Sequence, residues 1–371
     1  MNKPYDVIML AMSTSEDWAG GINNRNWQVL KRLLDRDDIR HVLLVDVLPW
    51  RLRRTVKYLL SILFSPSCKI SHPKLIHYRP LWSWINSHWD YKKIQALAER
   101  YHFQNVILWS YLPMFTDYGP LRYDCLVFDM VDDWTHHPSY GKIKNKIEES
   151  YCQLEQKANV IFVVNETLKK KFPLRIDIHY LPNGVETELF AKEYECPTVL
   201  RDIQRPIIGY SGTVQERFDQ ELVYESAKKH PDWSFVILGW VWRGINLDKL
   251  RSLPNVHFLG RVEYKELPMF IRQWSVGIIP HKQDAFYHSN DPMKLYEYLA
   301  AGLPVVTTDN GSLEDWKDVV KIANEPEEFV RAIEEAIRED NWELRKERQR
   351  LVQQASWDRR VSEMMEYINF T

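Results

Sequence analysis

Ser289-Asn290-Asp291-Pro292-Met293-Lys294-Leu295-Tyr296-Glu297-Tyr298-Leu299-Ala300-Ala301-Gly302-Leu303-Pro304-Val305-Val306-Thr307-Thr308 reads as a short helix running directly into a buried strand. Asp291 suits the N-cap, and Pro292 suits the first helical position, where a missing N–H removes nothing the helix uses. Gly302 accommodates the left-handed conformation that ends a helix, and Pro304 prevents its continuation. Val305 and Val306 begin a β-branched run without alternation, the pattern of a parallel strand covered on both faces. Leu295 and Leu299 share one helix face; Lys294 and Glu297 share another, near the positive end of the helix dipole. A cation beside free amide N–H groups suits a phosphate, and a carboxylate one turn on suits sugar hydroxyls. The competing reading is a solvated Lys–Glu pair on an ordinary amphipathic helix.

Working outward, the same strand–helix alternation fills the chain. Upstream lie strands at Val7–Ala11, Val42–Val47, Leu75–Tyr78, Val106–Trp109, Cys125–Phe128 and Val160–Val164. A second series begins at Pro206 and continues through a helix over Gln220–Lys229 and strands at Ser234–Leu238, Val256–Leu259 and Val276–Ile279. Alternation of this kind predicts parallel sheets with helices on both faces. At 371 residues the chain exceeds what one core normally supports, so two domains are expected. Their expected limits are 1–183 and 206–356, joined by a charged linker over 184–205, with a last helix over 357–371 packing back on the first domain.

Composition narrows the function classes. With 45% hydrophobic and 27% charged residues the chain is that of a folded globular protein, and a formal charge of -2 argues against nucleic acid as a partner. Cys68, Cys125, Cys152 and Cys196 have no metal-ligand spacing, so no metal is expected and reduced thiols fit a cytoplasmic setting. No apolar signal segment precedes the first strand. One segment stands apart: Val47–Trp89 contains no Asp or Glu, yet carries Trp50, Trp82, Trp84, Trp89 and a basic run with Arg51, Arg53, Arg54 and Lys57 leading into Tyr58–Phe64. That pattern fits peripheral contact with an anionic membrane surface. A helix packed on its domain with solvated cations is the alternative.

Three loops follow strands where open parallel sheets bind ligands. Trp18, Gly20 and Gly21 lie after the first strand. Asp129, Asp132 and Asp133 lie at or beyond the end of the Cys125–Phe128 strand. Gly212 and Thr213 follow Ile208-Gly209-Tyr210-Ser211. The first loop has no G-x-G-x-x-G, so a nicotinamide fingerprint is absent.

Leu181-Pro182-Asn183-Gly184-Val185-Glu186-Thr187-Glu188-Leu189-Phe190, the Gly212 loop and the Lys294–Glu297 helix, in that order, resemble the GT-B glycosyltransferases of the family 4-like group and its bacterial polysaccharide relatives. The resemblance covers the second half well and the first half mainly by architecture. It implies an α/β GT-B fold, two Rossmann-like parallel-sheet domains facing an interdomain cleft. It implies a metal-independent transfer from a nucleoside-diphosphate sugar, the donor being substrate and no cofactor being needed, to a lipid-linked or polymeric glycan acceptor.

By the same resemblance Lys294 and Arg217 would meet the diphosphate charge, Glu297 the ribose, and Val262 the base. Arg217 paired with Asp219 is the competing reading for that cation. His281 would line the sugar pocket or cap a loop, and Trp18, Gly20 and Gly21 would face the acceptor. Ser289 stands where retaining members usually carry a sugar-contacting Glu, with His288 and Asn290 beside it. Retention of configuration therefore does not follow, and an inverting transfer would need a base. Asp132 and Asp133 are the candidates, as neighbouring carboxylates that raise one another's pKa, with His136 and His137 behind them. The rival functions are a nucleotide-sugar epimerase of the same fold and a non-catalytic sugar- or nucleotide-binding module.

Overall fold

The computed structural model describes residues 4–46, 70–80, 88–311 and 313–369. The basic run with Arg51, Arg53, Arg54 and Lys57, and Trp50, Trp82 and Trp84 around it, lies outside the described residues. Among the described residues no helix is long and apolar enough to cross a membrane. The chain divides into two compact units, 1–182 with 360–371 and 183–359, so residues 184–205 fall within the second unit.

In the first unit the chain runs through β1 (Tyr5–Leu10), α1 (Ser15–Ala19), α2 (Arg25–Asp35), β2 (Ile39–Val45) and β3 (Leu75–Tyr78). It continues through α3 (His88–Arg100), β4 (Val106–Ser110), β5 (Cys125–Met130), α4 (Lys144–Lys157), β6 (Val160–Val163) and β7 (Ile178–Tyr180). The sheet order is β3-β2-β1-β4-β5-β6-β7, with every pairing parallel. Val7 to Leu10 and Val160 to Val163 are all buried, which is why these strands read as unbroken apolar runs. The sequence predicts a plain glycine loop after β1, but α1 forms there. Thr14 caps it through a reciprocal pair of bonds with Asp17. Asn24 caps α2 by accepting from the Trp27 N–H.

The second unit contains α5 (Thr187–Ala191), β8 (Ile207–Ser211), α6 (Gln220–Lys229), β9 (Ser234–Leu238), α7 (Asp248–Arg251) and β10 (Val256–Gly260). After these come α8 (Leu267–Ile271), β11 (Val276–Ile279), α9 (Met293–Ala300), β12 (Val305–Thr307), β13 (Val320–Ile322), α10 (Pro326–Glu339) and α11 (Trp342–Val352). The sheet order is β10-β9-β8-β11-β12-β13, again all parallel. The final helix, α12 (Trp357–Asn369), crosses from residues of the second unit to residues of the first.

The opening stretch forms α9 and β12 with one correction at the helix start. Pro292, not Asp291, occupies the N-cap. The Asp291 carboxylate instead accepts from the Asn183 backbone N–H at 2.5 Å and the Tyr296 hydroxyl at 2.7 Å, and the Asn183 amide donates to the Asp291 carbonyl at 2.7 Å. The carboxylate thus joins a residue 108 positions away to the side chain of Tyr296 on the helix. At the other end Gly302 has φ +79°, and Leu303 N–H returns to Tyr298 O at 2.9 Å. Beyond that turn, the carbonyls of Ala300, Ala301 and Gly302 accept from Gln349, Arg272 and Arg348.

Close approach fixes glycine inside two neighbouring strands of this unit, β8 and β11. A Cβ on Gly209, in β8, would stand 1.9 Å from Trp274 Cδ2, and one on Gly277 would stand 2.4 Å from Tyr298 Cδ2. Gly209→Ala is expected to cost about 3 kcal/mol, the scale of a core forced to overpack. A thermal unfolding scan against Gly141→Ala, a site with open space around it, checks this: only the Gly209 variant should melt lower.

Candidate functional site

In open parallel sheets the ligand crevice forms beyond the strand C-termini, where the strand order reverses. In the second unit that point lies between β8 and β11. On the β8 side the chain leaves through Gly212, φ +138°, and the neighbouring β9 leaves through Gly239, φ +136°. The two backbones touch, since a Cβ on Gly239 would stand 2.0 Å from Gly212 O. Gly212 N–H donates to Leu238 O and Gly239 N–H to Gly260 O, so the ends of β8, β9 and β10 are drawn together. Gly260, φ +72°, brings Arg261 and the half-buried Val262 to the same edge. Thr213 is exposed beside Gly212.

Lys294 lies directly against this loop. A Cβ on Gly212 would be 3.1 Å from Lys294 Cε and 3.4 Å from Nζ, so a side chain there would crowd the lysine in addition to being strained at φ +138°. Nζ sits 5.3 Å from the centre of the Tyr210 ring. Among the described residues it makes no hydrogen bond or ion pair. Burial, reinforced by the Arg217 charge and opposed by Glu297, lowers its pKa to about 7. Glu297 is 6% exposed, and burial raises its carboxyl to about 7 against the pull of Lys294. A solvated Lys–Glu pair is therefore not what α9 carries.

On the β11 side stands His281, 1% exposed and edge-on to Tyr287 at 4.6 Å. Neither ring nitrogen has a hydrogen-bond partner among the described residues. Burial, with Lys294 and Arg217 adding to it, pushes its pKa well below the usual imidazole value, so the ring is neutral. The backbone joins these groups, because Lys282 N–H donates to Arg217 O and Asp219 N–H to Pro280 O. Arg217 makes no ion pair with Asp219, whose carboxylate instead caps α6 through the Glu221 and Leu222 N–H groups. Gln215, with its amide oxygen turned to the guanidinium, accepts from Arg217 Nε and Nη2 at 2.5 and 2.6 Å. Arg217, His281, Lys294 and Glu297 thus form one electrostatically linked group. Ser289, 4% exposed, donates to Phe286 O at 2.8 Å in a short 3-10 turn.

In the first unit, Asp133 follows β5 and is nearly buried. It accepts from Lys171 Nζ at 2.7 Å, His136 Nδ1 at 2.7 Å, Thr135 Oγ1 at 2.6 Å and Thr135 N at 3.1 Å. Burial alone would raise its pKa, but the donors Lys171, Thr135 and His136 outweigh it and the pKa is lowered. This corrects the expectation for Asp133 that a carboxylate neighbour raises it: donors, not Asp132, set its charge state. Asp132 is half-buried, and His137 stacks on Trp134 and packs against Tyr140. Trp18 is a buried residue whose indole donates to Asn24 and stacks on Trp27, while Gly20 ends α1 and Gly21 takes φ +85°.

One pair that sequence reading missed lies beside them. The buried Arg25 holds the buried Asp129 through Nε at 2.9 and 3.0 Å and donates from Nη1 to Pro182 O. The signal was present only in part: Asp129 interrupts an apolar strand, but nothing local pointed to Arg25.

Residues 205–339 match the family model described as glycosyl transferases group 1. The protein is a glycosyltransferase, similar over that stretch to the group 1 family. The glycosyltransferase is 27% identical over 283 residues to the putative teichuronic acid biosynthesis glycosyltransferase TuaH of Bacillus subtilis, covering 70% of this chain and 71% of that one. In structure it is similar to Anabaena HepE in complex with UDP and glucose, with TM-score 0.67, 12% identity and 99% of each chain covered. It is also similar to the sucrose-phosphate synthase of Thermosynechococcus elongatus, with TM-score 0.72, 14% identity and 98% of each chain covered. Its fold is GT-B, an α/β arrangement with two all-parallel sheets.

The Asp133 network has a readable pH signature. A carboxylate whose folded pKa lies below its unfolded value stabilises the fold above the ordinary carboxylate range and loses that contribution as pH falls through the folded value. Asp133→Asn in the glycosyltransferase should therefore cost about 2 kcal/mol at pH 7, the scale of hydrogen bonds to a charged group. Thermal midpoints of the two proteins, measured from pH 7 down to pH 3, should converge at the acid end.

Proposed function

We propose that the second unit binds a nucleoside-diphosphate sugar at the β8/β11 switch point and that the enzyme transfers this sugar to a lipid-linked or polymeric glycan of the cell envelope. The observation that carries the reading is Lys294, a half-buried amine without an ion-pair partner among the described residues, on the first turn of α9 against the Gly212 loop. When the bond to the diphosphate breaks, charge grows on the leaving oxygens. Lys294, Arg217 and the amides of that first turn are the groups that meet it. Glu297 accepts from the ribose hydroxyls, and the backbone at Val262 faces the base. Transfer then needs no divalent ion, so activity should survive EDTA.

The donor class is supported by HepE, solved with UDP and glucose, and the envelope setting by the name of TuaH. In the first unit Asp132 or Asp133 takes the acceptor proton in an inverting transfer, Asp133 being the one that His136, Thr135 and Lys171 hold in place. The acceptor faces the loop carrying Trp18, Gly20 and Gly21. The basic run with Arg51, Arg53, Arg54 and Lys57 holds the enzyme at the inner face of an anionic membrane.

Thermal-shift measurements with UDP, GDP, dTDP and CMP test the donor site, because a ligand of the folded state raises the melting point by mass action. One nucleotide should stabilise the native protein and fail to stabilise Lys294→Ala; equal shifts for both proteins would remove Lys294 from the site. Lys294 also sets a pH dependence. Its pKa of about 7 means that an anionic ligand, which favours the ammonium, binds with proton uptake. Affinity for the nucleotide should fall by up to about tenfold per unit as pH rises above 7. Calorimetric titration at pH 7.0 and 8.5 reads this directly, and an affinity flat over that range would contradict it.

A further inference from the structure

Beside the Gly212 loop stands an aromatic side chain that the donor reading leaves without a task. Trp240 lies two residues beyond the end of β9 and is 57% exposed. A single exposed aromatic is ordinary on a protein surface. Trp240 is set apart by the backbone that holds it. Its carbonyl accepts from the Val214 N–H at 2.7 Å, and the Val214 carbonyl accepts from the Trp242 N–H at 2.9 Å. On the other side Gly239 N–H donates to Gly260 O at 2.7 Å. The indole is thus carried by chain bonded both to the segment leaving β8 and to the end of β10.

Alternation gives the side chain its direction. Val241 forms a parallel bridge with Val214, and both pack on the core that holds Tyr210 and Phe218. Trp240, one residue earlier, turns to the opposite face of the sheet, as Leu238 does. That is the face on which Leu295 and Leu299 of α9 pack, and Val262 packs there too. Trp240, Val262 and the helix that carries Lys294 therefore share one side of the sheet, near the C-terminal ends of its strands. Arg261, the residue before Val262, places its guanidinium over the Trp240 ring, 5.0 Å from the centre. A cation so placed holds the indole in orientation while most of the side chain stays in water.

We propose that Trp240 is the platform on which the nucleobase of the donor stacks, with Arg261 holding the indole in place. The inference rests on the donor reading above, in which the diphosphate lies at Gly212 and the base at Val262. β9 is the strand between β8 and β10, so Trp240 stands between those two points. A heteroaromatic ring laid on the indole removes apolar surface from water and gains offset stacking. Every base has such a face, so stacking supplies affinity without choice. Choice among bases falls to hydrogen bonds at the Val262 backbone.

Calorimetric titration with UDP, GDP, dTDP and CMP first finds the nucleotide that binds the native protein. The same titration is then run on two variants whose folding is checked by their unliganded melting points. Trp240→Leu, which keeps an apolar side chain without a ring, should bind that nucleotide about tenfold more weakly, while Trp240→Phe should stay within about threefold of the native affinity. Saturating nucleotide should also quench part of the indole emission of the native protein. That part should vanish from Trp240→Phe, although the nucleotide still binds. A role confined to bracing the Gly212 loop would give neither the gap between phenylalanine and leucine nor the lost quenching. Native affinity in Trp240→Leu, equal weakening in both variants, or quenching that the native protein lacks or Trp240→Phe retains would each overturn the assignment and leave the donor site standing. Absence of binding by every nucleotide would overturn both.

Discussion

The close passage of two backbones, Gly239 against Gly212, is the constraint on which the second unit depends. No side chain fits at Gly239, because its Cβ would stand 2.0 Å from Gly212 O. The contact draws the ends of β8 and β9 together and opens the space beside Gly212 that the Lys294 side chain fills. A larger residue at either glycine would displace the loop or the ammonium, and the electrostatic group would come apart. Fold and chemistry share one steric condition.

Electrostatics in the two units work in opposite ways. Asp133 is surrounded by donors, so its charge is stabilised and its role is to hold Thr135, His136 and Lys171 in place. Lys294 and Glu297 are buried faster than they are paired, so both are held close to neutrality. The first arrangement favours the fold and the second leaves free energy to be recovered when a charged ligand arrives. Arg25 with Asp129 belongs with the first kind, an ion pair enclosed beneath the loops that follow β1 and β5.

Much of the fold was legible because it follows from local pattern. Buried parallel strands show as unbroken apolar runs, so β9 and β11 were delimited to the residue, as was α6 between them and the preceding glycine loop. Three-residue strands such as β7 and β13 have too little pattern to stand out. Lys294 and Glu297 were legible from helix spacing and the glycine loop, whereas their enclosure was not, since burial is a property of the assembled unit. Asp291 failed as a cap, and Arg25 escaped notice, for one reason: their partners lie 108 and 104 residues away. Long-range pairing leaves no mark on a local window.

The helix α9 is fastened at both ends. Asp291 ties its approach to Asn183, and Gln349, Arg272 and Arg348 grip the carbonyls at its exit. A rod held in this way neither slides nor unwinds when a ligand presses on its first turn. Arg348 and Gln349 come from α11, and Arg272 lies just beyond α8. The helix is thus braced from outside its own hydrogen-bond ladder, so the place of Lys294 depends on residues of several other segments.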